Sequence, residues 1–473
     1  MKKLLALLLA GLLLISTTAC SVPEQESGET GARSEEATQA FFPSIERKSY
    51  DGATFQMIGF TAPGDWYYAQ ELTQSTLNDA IYEMNKSVED YLDVHIAYEQ
   101  ITSVSTGGEV FDRVRPSIIS GDDTYQLCIL HPYYSYNSFI SSNYAYDFYE
   151  FEAMDMSQDY WNKRVIDSLA INGKAYIALG DLCQYTINML YCNKFLMKQM
   201  DMTVPYDLVR SGDWTLDAFI SMTTDMYIDS NGDGARNNGD TYGFASMWDA
   251  NGSAFMQASD IYVVTRNEYD QFELSLYSTK LEDFYEKLYN WSKNEGVYLW
   301  EFGDKNNTNK NLDFLLGRSC FTLHALGTDY LSADFDVGIL PLPKYDKYQE
   351  QYAHVNWGNN IVVPTSIQNP QMVGEVLELM SYYSSTVVHN AYYDTVLQFR
   401  VSNSPDDREM VELIYNTVVF DPGIAYCDGN NGLWWLVYLP CFGIRFNQAQ
   451  VSSYYRTYAK SAQKGLDKLF SQK

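Results

Sequence analysis

The stretch ATFQMIGFT from Ala53 to Thr61 reads as a strand, and the residues after it decide the fold class. Leu77, Ile81, Met84, Val88 and Tyr91 follow at steps of four, three, four and three, which places them on one face of a helix. HIAYEQI from His95 to Ile101 is strand-like again. Val110, Val114 and Ile118 mark a second helix, and YQLCILH from Tyr125 to His131 a third strand. The order β-α-β-α-β predicts a parallel sheet with helical crossovers, and so an α/β fold.

Further along the chain the pattern changes. Asn172-Gly173, between Leu169 to Ile171 and Lys174 to Leu179, is a hairpin signal. An extended stretch follows through Asn188 to Tyr191, and a helix begins near Thr215. Thr279 and Glu282 form a capping box ahead of Leu281, Phe284, Leu288 and Trp291, which share one helical face. Asp336 to Leu340 and Asn360 to Val363 return to strand, and from Asn369-Pro370 the chain reads as mostly helical, ending in Ser452 to Phe470. So long a chain exceeds one hydrophobic core, and two or more lobes are expected.

Composition narrows the function. A net charge of −29 argues against nucleic acid or anionic lipid as ligands, because either needs a basic surface. With 40 Tyr and 9 Trp the chain is rich in flat amphipathic rings, which stack on sugar faces and also fill cores. No HExxH, GxSxG, P-loop or GxGxxG in its proper context occurs. Asp147 and Glu150 form a carboxylate pair of the kind a glycosidase uses, yet in so acidic a chain such pairs arise freely. His95, His131, His324, His354 and His389 lack metal-ligand spacing. Six cysteines beyond Cys20, namely Cys128, Cys183, Cys192, Cys320, Cys427 and Cys441, allow 15 pairings. Their apolar settings read as small buried hydrophobes, with Cys183 and Cys192 the first pair to test for a disulfide.

The start of the chain reads as an export signal over residues 1–19: Lys2 and Lys3, an apolar stretch from Leu4 to Ile15 too short to span a bilayer, then small residues up to Cys20. The segment is similar to the lipobox of bacterial lipoproteins, with Thr17 where that motif usually has Leu. The resemblance implies lipidation of Cys20 and a place on the extracytoplasmic face of the cell membrane. Residues 20–40 carry Glu24, Glu26, Glu29, Glu35 and Glu36 with almost no apolar residue, the composition of a flexible tether.

Four further stretches stand in order: KAYIALG from Lys174 with MLYCNKFL from Met189, DWTLDAF from Asp213, FLLGRSCFTL and DVGILPLPK between Phe314 and Lys344, and WGNNIVVP from Trp357. Together they resemble the extracellular solute-binding proteins of ABC importers, in the large carbohydrate-binding group that includes maltose-binding protein. The first matches that family's hinge pattern, with Ala178 standing for a common Pro and Cys192 interrupting the Tyr-Asn pair. The resemblance implies a type II periplasmic-binding-protein-like fold. Lobe 1 would hold residues 41–180 and 358–400, and lobe 2 residues 181–357 and 401–473. It also implies capture of an oligosaccharide in the interlobe cleft, delivery to an ABC permease, and no catalysis. The alternatives are a secreted glycan-degrading enzyme, or the binding subunit of an adhesin or sensor.

Ligands bind at the carboxyl ends of strands in open α/β sheets. The expected ligand-binding residues are therefore Trp66, Tyr67, His131, Tyr133, Trp248 and Trp357, with Tyr134 beside them. Trp434 and Trp435 resemble an aromatic pair of maltose-binding protein that stacks on sugar, and Asp181 stands where the family often has an acidic hinge residue. The most specific local pattern is DSNGDGARNNGD from Asp229 to Asp240. It offers oxygen ligands for a structural Ca²⁺ from Asp229, Asn231, Asp233, Asn237 and Asp240, with the Ala235 carbonyl, at EF-hand-like spacing. It departs from the EF-hand at Asp240, where Glu is usual, and at Arg236, where an apolar residue normally packs.

Overall fold

The computed structural model describes residues 42–102, 108–131, 136–248, 251–300, 312–325, 330, 333–392, 404–428 and 432–471. Cys20, the signal segment, the tether, Tyr133 and Tyr134 lie outside the described residues. No described helix is long and apolar enough to cross a membrane.

Strands β1 (Ala53–Gly59), β2 (Val94–Gln100) and β3 (Leu127–Leu130) form the expected parallel sheet: Ala53 pairs with Val94 and Met57 with Leu127. Helices α1 (Thr76–Leu92) and α2 (Glu109–Ser120) are the crossovers. Ser75 caps α1 by accepting from the Asn78 N–H, and Asp93 ends it in the left-handed conformation, which Asp tolerates better than most residues. Its periodic residues Ile81, Met84 and Val88 are fully buried, each contributing about 1.5–3 kcal/mol relative to exposure.

The second sheet is built from β4 (Asn188–Asn193), β5 (Tyr227–Ile228), β6 (Thr241–Met247), β9 (Val297–Trp300), β10 (Ser319–Ala325) and β11 (Val337–Leu340). Its order is β11-β4-β10-β6-β5, with β9 on β6. The hairpin β7 (Val264–Arg266) and β8 (Phe272–Leu274) and the pair β12 (His354–Val355) and β14 (Val418–Val419) stand apart from both sheets. Strand β13 (Asn360–Val362) returns to the first sheet, antiparallel to β3. The chain is thus a two-lobed α/β fold.

Two extended segments pass between the sheets side by side. Ala178 bridges Ile361 and Ile187 bridges Asn356. The Trp357 N–H donates to the Thr186 carbonyl, while Asn356 Oδ1 accepts from both Thr186 N and Gly358 N at 2.8 Å.

Two local expectations shift. The cap of the helix Thr279–Ser292 is Ser278, whose side chain accepts from Leu281 N at 3.1 Å; Thr279 is already helical. Adjacent Ser and Thr offer the same cap chemistry, so the pattern is degenerate by one residue. Cys183 and Cys192 form no disulfide: both are buried thiols, with burial pushing Cys183 up to about 12 and Cys192 well above the ordinary range. The Asn172-Gly173 turn forms as expected, both residues at positive φ between the bridged Ile171 and Lys174.

Candidate functional site

The carboxyl ends of β1 and β3 meet the returning segment before β13. Asn359 Nδ2 donates to Thr61 Oγ1 at 3.0 Å. The Tyr136 hydroxyl donates to the Leu130 carbonyl at the end of β3 and accepts from Asn360 N. Asn137 N, at the start of the next helix, donates to Asp428 Oδ1 at 3.2 Å and so reaches the C-terminal segment. His131 sits directly after β3, its pKa pushed down to about 4 by burial.

On the opposite side, the helices Leu433–Val437 and Leu439–Arg445 are tied to the far end of β6. Trp248 Nε1 donates to the Pro440 carbonyl at 3.2 Å and Ser253 Oγ to the Val437 carbonyl at 2.8 Å. This anchoring presents an aromatic group to the crossing strand. The Trp357 ring lies 6.1 Å from that of Tyr438 at 26°, and Tyr438 lies 4.7 Å from Trp434. Trp357 comes from the crossing segment and Trp434 and Tyr438 from the second lobe's helices, so the group spans the junction between the two sheets. Tyr438 was not among the expected residues. Its signal was available, because it stands four residues after Trp434, one helical turn on.

Trp357 and Tyr438 are themselves buried, so within this group Trp434, only partly buried, offers the accessible ring; the other expected residues lie elsewhere. Trp66 and Tyr67 are buried in packing roles. Trp66 donates its indole N–H to the Leu182 carbonyl at 2.9 Å and meets the His389 and Tyr392 rings edge-on, and the Tyr67 hydroxyl accepts from Gln184 N. Both brace the crossing strand from below. Trp435 stacks on Tyr458 of the helix Val451–Phe470 at 17°. Trp248 is buried against Phe255 and Trp291, its edge reaching a cavity on the second lobe. Asp181 lines a cavity of about 420 Å³ beside the crossing strand, with Tyr185, His389 and Tyr415. Burial raises its pKa and His389, 3.9 Å away, opposes the rise. Its backbone carbonyl accepts from Ser384 Oγ and faces His389 Nε2 at 3.0 Å.

The Asp229–Asp240 loop closes on itself. Asp229 accepts from Gly232 N and Gly234 N, and both glycines are at positive φ. Asp233 Oδ2 accepts from the side-chain amides of Asn231 at 3.0 Å and Asn237 at 2.8 Å, and Asn237 Nδ2 also donates to the Ala235 carbonyl. Among the described residues no three His, Cys, Asp or Glu side chains form a metal cluster, so a cation here would depend on amide and carbonyl oxygens as well. The loop's donors are all oxygens, the kind a hard cation takes, but Asn231 Oδ1 accepts from Asp233 N at 3.0 Å and Asn237 Oδ1 from Gly239 N at 2.7 Å, so both amide oxygens would have to leave these donors to meet one. Asp240 is fully buried and accepts from Tyr227, Ser230 N and Asn237 N, anchoring the loop to β5 and β6. Arg236 faces away from the loop and donates to the carbonyls of Asn294 and Val297, which accounts for a charged residue at that position.

No family model and no curated protein sequence matches this chain. Its fold is that of solved substrate-binding proteins. The ABC substrate-binding protein Lmo0181 from Listeria monocytogenes, solved in complex with cycloalternan, superposes with a TM-score of 0.57 at 14% identity, over 89% of this chain and 99% of that one. UspC from M. tuberculosis superposes with a TM-score of 0.55 at 13% identity, over 87% of this chain and all of that one.

Proposed function

We propose that the protein is the extracytoplasmic, lipid-anchored binding component of an ABC importer. It captures a carbohydrate, in the first place an oligosaccharide, between its two lobes and delivers it to a membrane permease. The observation that carries this reading is the aromatic group Trp357, Tyr438 and Trp434 at the junction of two lobes joined by paired crossing strands. Flat rings suit the faces of sugars. The fold shared with a substrate-binding protein solved with cycloalternan supports the same class of ligand. In this reading the protein works by binding and hinge closure, with no bond of the ligand broken. Incubating the purified mature protein with a glycan panel tests it: a ligand recovered intact together with a raised melting temperature supports binding, whereas turnover of any glycan refutes it.

Trp434 is only partly buried, so its truncation tests the site without emptying a core. Trp434→Ala is expected to weaken glycan affinity by at least about tenfold, the effect of one aromatic hot spot, with the unliganded melting temperature nearly unchanged. Titration calorimetry on both proteins reads this directly.

In the same reading Ca²⁺ held by Asp229, Asn231, Asp233, Ala235, Asn237 and Asp240 staples the second lobe. Calcium at a hundredfold excess over its Kd is expected to add about 2.7 kcal/mol to the unfolding free energy. Asp233→Ala should abolish that gain, and a melting temperature indifferent to both calcium and chelator would remove the metal from the proposal. The anchor is tested by mass spectrometry of the membrane fraction, where Cys20 should carry the lipid and Cys20→Ser should release the protein.

A further inference from the structure

In a chain of net charge −29, one cavity on the second lobe has a cationic rim. It has a volume of about 390 Å³ and runs along β9, which among the described strands pairs only with β6. Its rim carries Arg236, Lys293 and Arg445, and among the described residues no carboxylate lines it; Tyr298, Leu299 and Ile444 form part of its wall. These residues come from four places in the chain: the Asp229–Asp240 loop, the end of the helix Thr279–Ser292, β9, and the helix Leu439–Arg445.

Among the described residues, neither Lys293 nor Arg236 is spent on a neighbouring acid. Lys293 has no carboxylate partner among the described residues, and its ammonium lies 5.0 Å from the centre of the Tyr289 ring. Among the described residues Arg236 engages only Nη2, on the carbonyls of Asn294 and Val297, which fixes the guanidinium in place and leaves the N–H groups on Nε and Nη1 without a partner there. A guanidinium held this way loses little further freedom when it takes an anion. The wall opposite the charges is amphipathic: Tyr298 and Leu299 are half-buried, and Ile444 is buried. The volume lies within the range of small-molecule sites.

We infer that this cavity is a second ligand site, separate from the aromatic group between the lobes. It takes a small anion with an amphipathic ring body, the chemistry shared by a uronic acid and a sugar phosphate. The charged group sits against Lys293, Arg445 and the free edge of Arg236, and the ring lies over Tyr298 and Leu299. The site therefore opposes the acidic field of the rest of the chain and selects ligands that field would otherwise repel.

Titration calorimetry of the full mature protein in a non-phosphate buffer, with glucuronate, glucose 6-phosphate, inorganic phosphate and glucose as separate probes, tests this. One of the two anionic sugars should bind with one-to-one stoichiometry and more tightly than inorganic phosphate, and which of them does so identifies the source. Lys293→Ala and Arg445→Ala should each weaken it by about tenfold, the loss of one charge-assisted hydrogen bond, and Lys293→Arg should restore most of the affinity. Both residues are exposed, so an unchanged melting temperature certifies the variants. Trp434→Ala should leave this binding intact, which separates it from the interlobe site. The inference is overturned if neither anionic sugar binds, if glucose binds as tightly as they do, or if the lysine and arginine variants bind like the parent.

Discussion

Replacing Gly358 by alanine is expected to destabilise the protein by at least about 3 kcal/mol, the upper end of the cost of overpacking, and to abolish ligand capture. A Cβ at this position would stand 1.9 Å from the Gln184 carbonyl oxygen and 2.8 Å from Asn356 Oδ1. Neither neighbour can yield cheaply. Gln184 lies on the first crossing segment, where its N–H is held by the Tyr67 hydroxyl, and Asn356 Oδ1 already accepts two backbone N–H groups. The methyl group would therefore separate the two strands that join the lobes, breaking the bonds from Asn356 Oδ1 and the one from Trp357 N to Thr186. Trp357 moves with its strand, so the aromatic group against Tyr438 is displaced too. Thermal melting and glycan titration of Gly358→Ala should show both losses together. A parallel variant, Gly180→Ala, places a Cβ 2.2 Å from the Tyr160 carbonyl on the first-lobe side of the same crossing. If both variants melt like the parent, the close approach of these strands is not a fixed feature of the fold.

The first lobe was legible because its signals are local. The steps of three and four from Leu77 to Tyr91 and the strand runs beside them depend only on residues a few positions apart, and the pairing of β1 with β2 and β3 follows from the handed crossover. The junction between the lobes was legible only in part. Trp357 was expected from its place before the return strand and Trp434 from the family resemblance; the same two grounds pointed to Trp66, Tyr67 and Trp435, which pack against the crossing strand and the C-terminal helix. A tryptophan carries the same sequence signal whether it lines a cleft or fills a core; only the neighbours brought by the fold decide. Thr61, Tyr136, Asn359 and Asp428 meet at the strand ends although they span most of the chain, and no spacing rule links them. The basic cavity escaped for the same reason, since Arg236, Lys293 and Arg445 are scattered in sequence.

Acid is expected to weaken the fold through His354, at the lower end of the crossing segment. The imidazole is fully buried: Nε2 accepts from the Leu342 N–H at 3.2 Å, so Nδ1 carries the proton and donates to Thr417 Oγ1 at 2.9 Å. The bond from Leu342 needs the neutral ring, because a protonated Nε2 cannot accept, and burial pushes the pKa down to about 3. In the unfolded chain a histidine titrates near 6.5. The unfolded state therefore binds the proton first, and the stability contributed by the neutral ring is complete above about pH 6.5 and lost progressively as pH falls toward 3. Between pH 6.5 and 4 that loss amounts to about 3 kcal/mol. His131, pushed down to about 4 by burial, acts in the same direction. Asp421 acts in the opposite one. Burial raises its pKa to about 6 against three backbone N–H donors, so its contribution is present below the usual carboxylate range and lost as pH rises through 6. Because the two residues oppose each other between pH 4 and 6, the parent's profile reports their difference, and variants are needed to separate them. His354→Gln, whose amide keeps an acceptor for Leu342 and a donor for Thr417, should cost little at neutral pH and lose less stability on acidification than the parent. Asp421→Asn should steepen the acid loss. Chemical denaturation of the three proteins at several pH values measures each slope, and a His354→Gln curve parallel to the parent's would mean that the imidazole does not carry the acid sensitivity.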